Sequence, residues 1–321
     1  MEIFGSTFDD SVFSESRDRA SVSVSSYSPK LCESEWFCQS EALDTDDSLE
    51  KQKVYKFRGD LAVRRGDYQK ALDAYSSCLQ WIADNNLTIR RDVLEGMARC
   101  CTRLGQRERA LHLTELLSKE ASNTCHLTSL LLLKVSIFQH FGAVESSVCV
   151  LQQLCSLLPF NPWHWLSLGQ TCEQLLGRHR SAGSPGAAEE QEAGQVEEEE
   201  EEEEEFSQDR IWLKACACFI RTRLLLRILQ QQQSSFVLRR SESALQLMEE
   251  ALRRLQPGEP RLQALTEVMS EDLVPEKMRE DYQDGESLSS VSLQSFRERW
   301  WDKVLLRGRG ASQGTGTDTE T

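Results

Sequence analysis

The feature that most constrains this fold is a helical pattern of apolar residues that is interrupted by single glycines at nearly regular intervals. From Val54 to about Leu176, apolar residues recur at i, i+3 and i+4 spacing, which predicts a series of amphipathic helices. Gly66, Gly105 and Gly142 follow one another at intervals of 39 and 37 residues. Repetition of this kind predicts a stack of similar helical hairpins, in which each unit buries its apolar face against its neighbours.

The first unit, residues 55–79, carries the most specific pattern. It reads YKFRGDLAVRRGDYQKALDAYSSCL and resembles a tetratricopeptide repeat. In that family, small residues let two antiparallel helices approach closely, while larger residues fill the seam between neighbouring repeats. The matching positions are Tyr55, Gly59, Gly66, Ala71, Tyr75 and Cys78. The resemblance implies an all-α fold, namely a tetratricopeptide-like helical-hairpin superhelix, which composition predicts to be interrupted by a disordered acidic insert.

Three weaker units follow the first. The second is centred on Gly105, and the third ends at Pro159, where the family commonly has a proline. A shift of 34 residues from Leu131, equal to the family period, reaches Trp165 in the string NPWHWLSLGQ. We therefore expect about four hairpins.

Changes of composition divide the chain into five parts. The first part, the insert and the tail are rich in polar or acidic residues and bury too little apolar surface to offset the entropy of ordering. Within the first part, we expect Leu31–Phe37 to dock. The predicted parts are a mostly disordered segment (1–50), tetratricopeptide-like repeats (51–177), a disordered Glu-rich insert (178–208), C-terminal helices that complete or cap the superhelix (209–306) and a disordered tail (307–321).

The C-terminal part contains four predicted helices, near 209–231, 241–255, 261–269 and 293–306. Pro257 and Pro260 separate the second helix from the third, because proline does not continue a helix. The first helix either completes the fourth hairpin or begins a fifth, and the sequence supports both alternatives.

The net charge of −15 belongs mainly to one segment. Twelve glutamates lie between Glu189 and Glu205, and the rest of the chain is close to balanced. A balanced surface provides no broad basic field for nucleic acid or anionic lipid, so nucleic-acid binding is disfavoured. The glutamate run itself fits either a spacer or a docking tail for a basic protein.

The N-terminal decapeptide MEIFGSTFDD has neither a basic region nor an apolar stretch of the length that a secretory signal needs, so we expect an intracellular protein, in cytoplasm or nucleus. The eleven cysteines contain no Cys-x-x-Cys pair and no histidine cluster at zinc-site spacing, and we predict no metal. The apolar stretch 211–229 contains four basic residues, which oppose membrane insertion. They are Lys214, Arg221, Arg223 and Arg227.

Catalysis has no candidate residues in this sequence. No phosphate-binding loop and no His-Glu-x-x-His motif occurs, and the five histidines show no carboxylate or cysteine partner at a fixed spacing. We therefore predict that the protein is not an enzyme and uses no cofactor.

Charged residues on the predicted first helices are candidates for a peptide groove. In stacked repeats these helices line the concave face, where positions 5 and 9 hold Lys56 and Asp60 in the first unit. Glu95 and Arg99 occupy the same positions in the second unit. Some tetratricopeptide proteins bind the C-terminal carboxylate of chaperones, but only Lys56 matches that pattern; the departures are Asp60, Gly96, Ser129 and Leu133. An ordinary solvated helix face explains the four charges equally well.

The segment 296–310, FRERWWDKVLLRGRG, is a candidate docking helix through Phe296, Trp300 and Trp301. Three functions fit it: a partner-binding helix, a nucleic-acid contact, or a cap on the last repeat. We favour the cap, because a solenoid needs its final apolar face covered. The basic residues of the nucleic-acid alternative are Arg297, Arg299, Lys303, Arg307 and Arg309.

The order of the motifs gives a second resemblance. DSVF, KFRGDLAVRRGDYQKAL, LLPFNPWHW, an acidic insert and LKACACFIRTRLLL follow one another as in a vertebrate protein family known from an open reading frame on human chromosome 8. That resemblance implies a helical fold without established enzymatic activity. We predict a non-catalytic scaffold or adaptor that binds other proteins in its concave groove; the alternative is a nuclear regulator that contacts nucleic acid or chromatin through the C-terminal basic aromatic helix.

Overall fold

The computed structural model describes residues 34–182, 197–230, 235–274 and 291–310, and these residues form helices and turns without any strand. Two short 3-10 turns, Trp36–Cys38 and Ser40–Leu43, precede the first long helix. The helices are α1 (Ser48–Arg64), α2 (Tyr68–Leu79), α3 (Leu87–Arg103), α4 (Arg107–Lys119), α5 (Thr124–His140), α6 (Val144–Leu157), α7 (Pro162–Ala182), α8 (Glu197–Gln230), α9 (Ser235–Leu255), α10 (Glu259–Ser270), α11 (Leu293–Phe296) and α12 (Asp302–Gly310). A π-helical turn, Arg297–Trp301, joins the last two, and residues 293–310 together are called the C-terminal helix below.

The first two helices begin at aspartate caps. The side chain of Asp47 accepts a hydrogen bond from Leu49 N at the start of α1, and Asp67 accepts one from Lys70 N at the start of α2. Such caps satisfy backbone N–H groups that have no partner within the helix.

The same glycine turn closes the first three hairpins. Gly66, Gly105 and Gly142 have φ of 79°, 75° and 68°, a left-handed conformation that costs glycine little. In each turn the next residue donates its N–H to a carbonyl five residues back, as Asp67 does to Ala62 at 2.9 Å. This pair of features is the Schellman ending of a helix. The predicted helix boundaries at these three glycines are therefore confirmed.

Small residues allow the paired helices to approach closely. A Cβ atom on Gly59 of α1 would lie 2.4 Å from the Tyr75 ring of α2. In the same way, a Cβ atom on Gly169 of α7 would lie 2.7 Å from the Phe219 ring of α8. In both pairs an aromatic ring occupies the space that a larger residue would need.

The helices pack in sequence order around two apolar cores. The first core is built by α1 to α5, and the second extends from α5 to the C-terminal helix. Helix α8 packs mainly against α7, so it is the partner of α7 in the fourth helical pair. The C-terminal helix folds back onto α6, α8 and α10. Within the described segments, no helix is both long and apolar enough to cross a bilayer.

Some helix boundaries differ from the sequence prediction. Helix α7 continues to Ala182 and α8 begins at Glu197, so both ends of the predicted insert 178–208 are helical in the structure. Its central residues 183–196 lie outside the described residues. The C-terminal helix ends at Gly310 rather than near 306, because the apolar-to-polar change in the sequence comes before the last helical turn. The predicted disordered residues 1–33 and 311–321 also lie outside the described residues.

Candidate functional site

Helices α1, α3 and α5 lie side by side, because α1 contacts α3 and α3 contacts α5. Lys56 and Asp60 are on α1, and Glu95 and Arg99 are on α3. Three consecutive hairpins thus place their first helices next to one another.

The four predicted groove residues form two separate ion pairs. Lys56 Nζ lies 3.0 Å from Asp60 Oδ2, and Arg99 Nη2 lies 2.6 Å from Glu95 Oε1. Each pair joins residues four positions apart on one helix, so neither crosses the groove. Pairs of this kind contribute about 0.3–0.5 kcal/mol to stability.

Asp60 has a structural contact as well. The Tyr75 hydroxyl donates a hydrogen bond to Asp60 Oδ1 at 2.8 Å. Burial, together with this hydrogen bond, raises the pKa of Tyr75 far above its usual value, so the hydroxyl remains a donor. Asp60 therefore fixes the Tyr75 ring in the space beside Gly59, and Lys56 compensates the negative charge of Asp60.

Two clefts lie between α3 and α5, and we call them together the α3–α5 groove. The smaller cleft, about 170 Å³, is near the start of the two helices, and the larger one, about 520 Å³, is near their ends. Buried Leu133 lines both clefts and gives them a common apolar floor. The smaller cleft is lined by Thr88, Arg91, Asp92, Glu95, Leu117, His126, Ser129, Leu130 and Leu133, and the larger by Val63, Tyr68, Arg99, Cys100, Thr102, Arg103, Leu133, Ser136, Gln139 and His140.

The charges of the groove differ between its two ends. Asp92 and Glu95 lie with Arg91 at the smaller cleft, whereas Arg99 and Arg103 line the larger cleft without an acidic residue in its wall. Neither Arg103 nor His140 was among the predicted groove residues. Arg103 lies one helical turn beyond Arg99, so the same periodicity extended by four residues identifies it.

The C-terminal aromatic residues are buried rather than displayed. Phe296, Trp300 and Trp301 expose 0%, 2% and 3% of their surface. Phe296 and Trp300 stack around Trp165 of α7, with ring centroids 5.6 and 5.1 Å away, and Trp301 contacts Phe296 at 5.0 Å. These rings close the second core, as a capping helix does.

Three basic side chains of the C-terminal helix pair with acidic residues at the end of α10. Arg299 lies 2.9 Å from Asp272, and Lys303 lies 2.6 Å from Glu271. Arg307 lies 3.3 Å from the same Glu271. These pairs orient the helix and reduce the positive charge that it presents.

Arg221 of α8 contacts the end of α10 from inside the second core. Its side chain is fully buried and donates hydrogen bonds to Met269 O at 2.6 Å and to the carboxylate of Asp272. It also reaches Pro159 O at 3.4 Å, a carbonyl that accepts a 2.8 Å hydrogen bond from Trp165 Nε1. In the sequence, Arg221 stands out only as a charge that opposes membrane insertion, because its partners are distant in sequence.

Burial and ion pairing shift the pKa values of Arg221 and Asp272 in opposite directions. Burial lowers the pKa of Arg221, although the neighbouring carboxylate opposes the change. Burial alone would raise the pKa of Asp272, but the combined attraction of Arg221 and Arg299 brings it below the usual value. The pair is therefore ionised near neutral pH.

The buried cysteines do not form a reactive or metal-binding centre. Burial raises the pKa of Cys155 and Cys218 well above the usual thiol value and that of Cys216 to about 12. A thiol in this state is a poor nucleophile and a poor metal ligand. In the parts of the chain that the structure describes, no group of three or more His, Cys, Asp or Glu residues is placed to hold a metal ion.

Comparison with known proteins places the chain among relatives without an assigned activity. A family described as a family of unknown function (DUF5588) matches residues 2–193 and 179–304. The human protein named "Uncharacterized protein C8orf76" is 34% identical, over 94% of this chain and 93% of its own length. Its rat homologue is 32% identical over the same shares of the two chains. The similarity thus includes both the α3–α5 groove and the C-terminal helix.

Proposed function

The chain belongs to the family of unknown function DUF5588, and we propose that it is a non-catalytic scaffold or adaptor that binds a segment of another protein in the α3–α5 groove. The observation that carries this proposal is the groove itself, in which buried Leu133 lines both clefts and charged residues form the walls. Apolar floors with a few polar groups are typical of surfaces that bind ligands or peptides.

We also propose that the fold is a tetratricopeptide-like superhelix. Three hairpins end their first helix with the same left-handed glycine, and the helices pack in sequence order. The close contact of Gly59 with Tyr75 joins positions 8 and 24 of the repeat pattern. In such a superhelix, α1, α3 and α5 form the concave side.

The length of the α3–α5 groove indicates that the bound protein segment would be short. Helices α3 and α5 each contain 17 residues, so the groove is about 25 Å long at 1.5 Å per residue. An extended chain at about 3.3 Å per residue would fill it with roughly seven or eight residues. Apolar side chains would contact Leu133, while acidic side chains would approach Arg99 and Arg103.

The nucleic-acid alternative has less support. It requires accessible aromatic rings or unpaired basic residues on the C-terminal helix. The rings of Phe296, Trp300 and Trp301 are buried, and Arg299 and Lys303 pair with acidic residues. A salt-dependent mobility shift that disappears in an Arg297→Gln, Arg299→Gln, Lys303→Gln variant would favour this alternative over the groove.

Site-specific photo-crosslinking in cells tests the groove proposal. A photoreactive phenylalanine analogue at Ser136, in the wall of the larger cleft, should give discrete adducts with other proteins. The matched control is the same analogue at Leu306, which is 75% exposed on the C-terminal helix. Equal adduct patterns from both positions, or no adducts from position 136, would refute the proposal.

A further inference from the structure

A second groove lies on the opposite side of the first hairpin, and we call it the N-terminal groove. Its volume is about 500 Å³, and it is formed by the outer side of α1, the start of α2 and the first 3-10 turn. Its floor contains Leu61 and Ala62, and its walls carry three cations and one acid. The lining residues are Cys38, Arg58, Leu61, Ala62, Arg65, Asp67 and Lys70.

The chain just before α1 already packs on this side through aromatic rings and a carboxylate. Trp36 and Phe37 contact the ring of Phe57, with centroids 6.4 and 5.5 Å away. Glu35 pairs with Arg65 at 2.7 Å. The described residues 34–43 therefore show which chemistry the outer side of α1 accepts.

Residues 4–15 repeat that chemistry. Their sequence, FGSTFDDSVFSE, contains three phenylalanines and three acidic residues but no basic residue. They also lie within the region matched by the family, which begins at residue 2. We propose that residues 4–15 occupy the N-terminal groove of the same chain, with phenylalanine rings on Leu61 and Ala62 and carboxylates beside Lys70 and Arg58.

Charge and chain length both permit this arrangement. Arg58 donates hydrogen bonds to the backbone carbonyls of Phe37 and Gln39, so these contacts leave its positive charge without a carboxylate. Lys70 lines the groove, and the structure shows no carboxylate partner for it within the described residues. The eighteen residues between Glu15 and Ser34 reach up to about 60 Å when extended, so they allow the return to α1.

The docked segment would complete the first end of the helical stack. Among the described residues, only two short 3-10 turns precede α1 and contact it, and a stack of repeats needs its terminal faces covered. This inference is independent of the α3–α5 groove, because it concerns the other side of α1.

Carbodiimide crosslinking of the full chain tests the inference. The reagent joins a lysine amine to a carboxylate that is in direct contact, and we expect a bond from Lys70 to Asp9, Asp10 or Glu15. Lys119, an exposed lysine on α4, should give no bond to these residues and is the internal control. A mixture of ¹⁵N-labelled and unlabelled chains distinguishes bonds within one chain from bonds between two copies.

Hydrogen exchange of the same full chain gives a second readout. In a Phe8→Ala, Phe13→Ala variant, we expect the amides of residues 57–65 to exchange at least about threefold faster, because the groove loses its cover. Tyr27→Ala, in the same N-terminal segment but outside residues 4–15, is the control and should leave the rates unchanged.

Crosslinks within one chain together with faster exchange would support the proposal. Mixed-isotope crosslinks would show that a second copy fills the groove and would overturn docking within one chain. If the variant leaves the exchange rates of residues 57–65 unchanged, residues 4–15 do not cover this groove.

Discussion

Arg221 and Asp272, 51 residues apart, form an ion pair inside the second core, and Arg299 of the C-terminal helix contacts the same carboxylate. Arg221 also reaches the Pro159 carbonyl, which accepts the indole N–H of Trp165. This network connects the turn before α7, helix α8, the end of α10 and the C-terminal helix. It explains how the C-terminal helix is positioned on the core.

We predict that Arg221→Met destabilises the protein by about 3–5 kcal/mol, because it leaves the Asp272 carboxylate partly buried with one partner fewer. The measurement is the free energy of unfolding from urea titration. Arg254→Met is the matched control, because Arg254 pairs with Glu173 at the surface, and its loss should cost at most about 1 kcal/mol. Equal losses for the two variants would contradict a structural role for the buried pair.

We predict that Gly169→Ala destabilises the protein by about 1–3 kcal/mol, because its Cβ would lie 2.7 Å from the Phe219 ring and force α7 and α8 apart. Gly177→Ala, eight residues later on α7, has no atom near its Cβ and should gain about 0.5–1 kcal/mol from helix propensity. Thermal unfolding of both variants measures the difference. A stabilised Gly169→Ala protein would disprove the close packing of this helix pair.

We predict that stability decreases below neutral pH partly because of His164. Burial lowers its pKa, so the unfolded chain binds a proton more readily than the folded chain does. The stabilising contribution is therefore complete above about pH 6.5 and decreases by up to about 1.4 kcal/mol per pH unit as the pH falls towards the folded pKa. Urea titrations at pH 7.5 and 5.5 should show a smaller difference for His164→Asn than for wild type. An equal difference for His164→Asn and for wild type would contradict this contribution.

We predict that buried cysteines resist alkylation in the native protein. Cys155, Cys216 and Cys218 are fully buried with raised pKa values, whereas Cys38 and Cys125 are exposed. Iodoacetamide at pH 7.5, followed by peptide mass spectrometry, should modify the exposed pair within minutes and the buried three only after denaturation. Rapid native modification of Cys218 would show that the C-terminal helix opens readily.

The local features of the fold could be predicted from the sequence, whereas the contacts between distant segments could not. Apolar spacing and glycine turns depend on neighbouring residues, and they identified the boundaries at Gly66, Gly105 and Gly142. The contact of Trp165 with Trp300 depends instead on where the chain returns after α10, which no local pattern encodes.

In the candidate site, too, local features could be predicted from the sequence and side-chain contacts could not. Helix periodicity placed Glu95 and Arg99 on the α3 surface, but it did not reveal that they pair with each other. The pairing depends on side-chain conformations, and the wall formed by Arg103 and His140 depends on how α3 packs beside α5.

The most direct test of the adaptor proposal is proximity labelling in cells with an Arg99→Glu, Arg103→Glu variant, which reverses the charge of the larger cleft. The control is Arg107→Glu, Arg109→Glu, which changes two exposed arginines on α4, and circular dichroism verifies that both variants retain their helices. We expect a defined set of neighbouring proteins to be lost with the cleft variant and retained with the control. An unchanged set with the cleft variant would contradict binding in the α3–α5 groove.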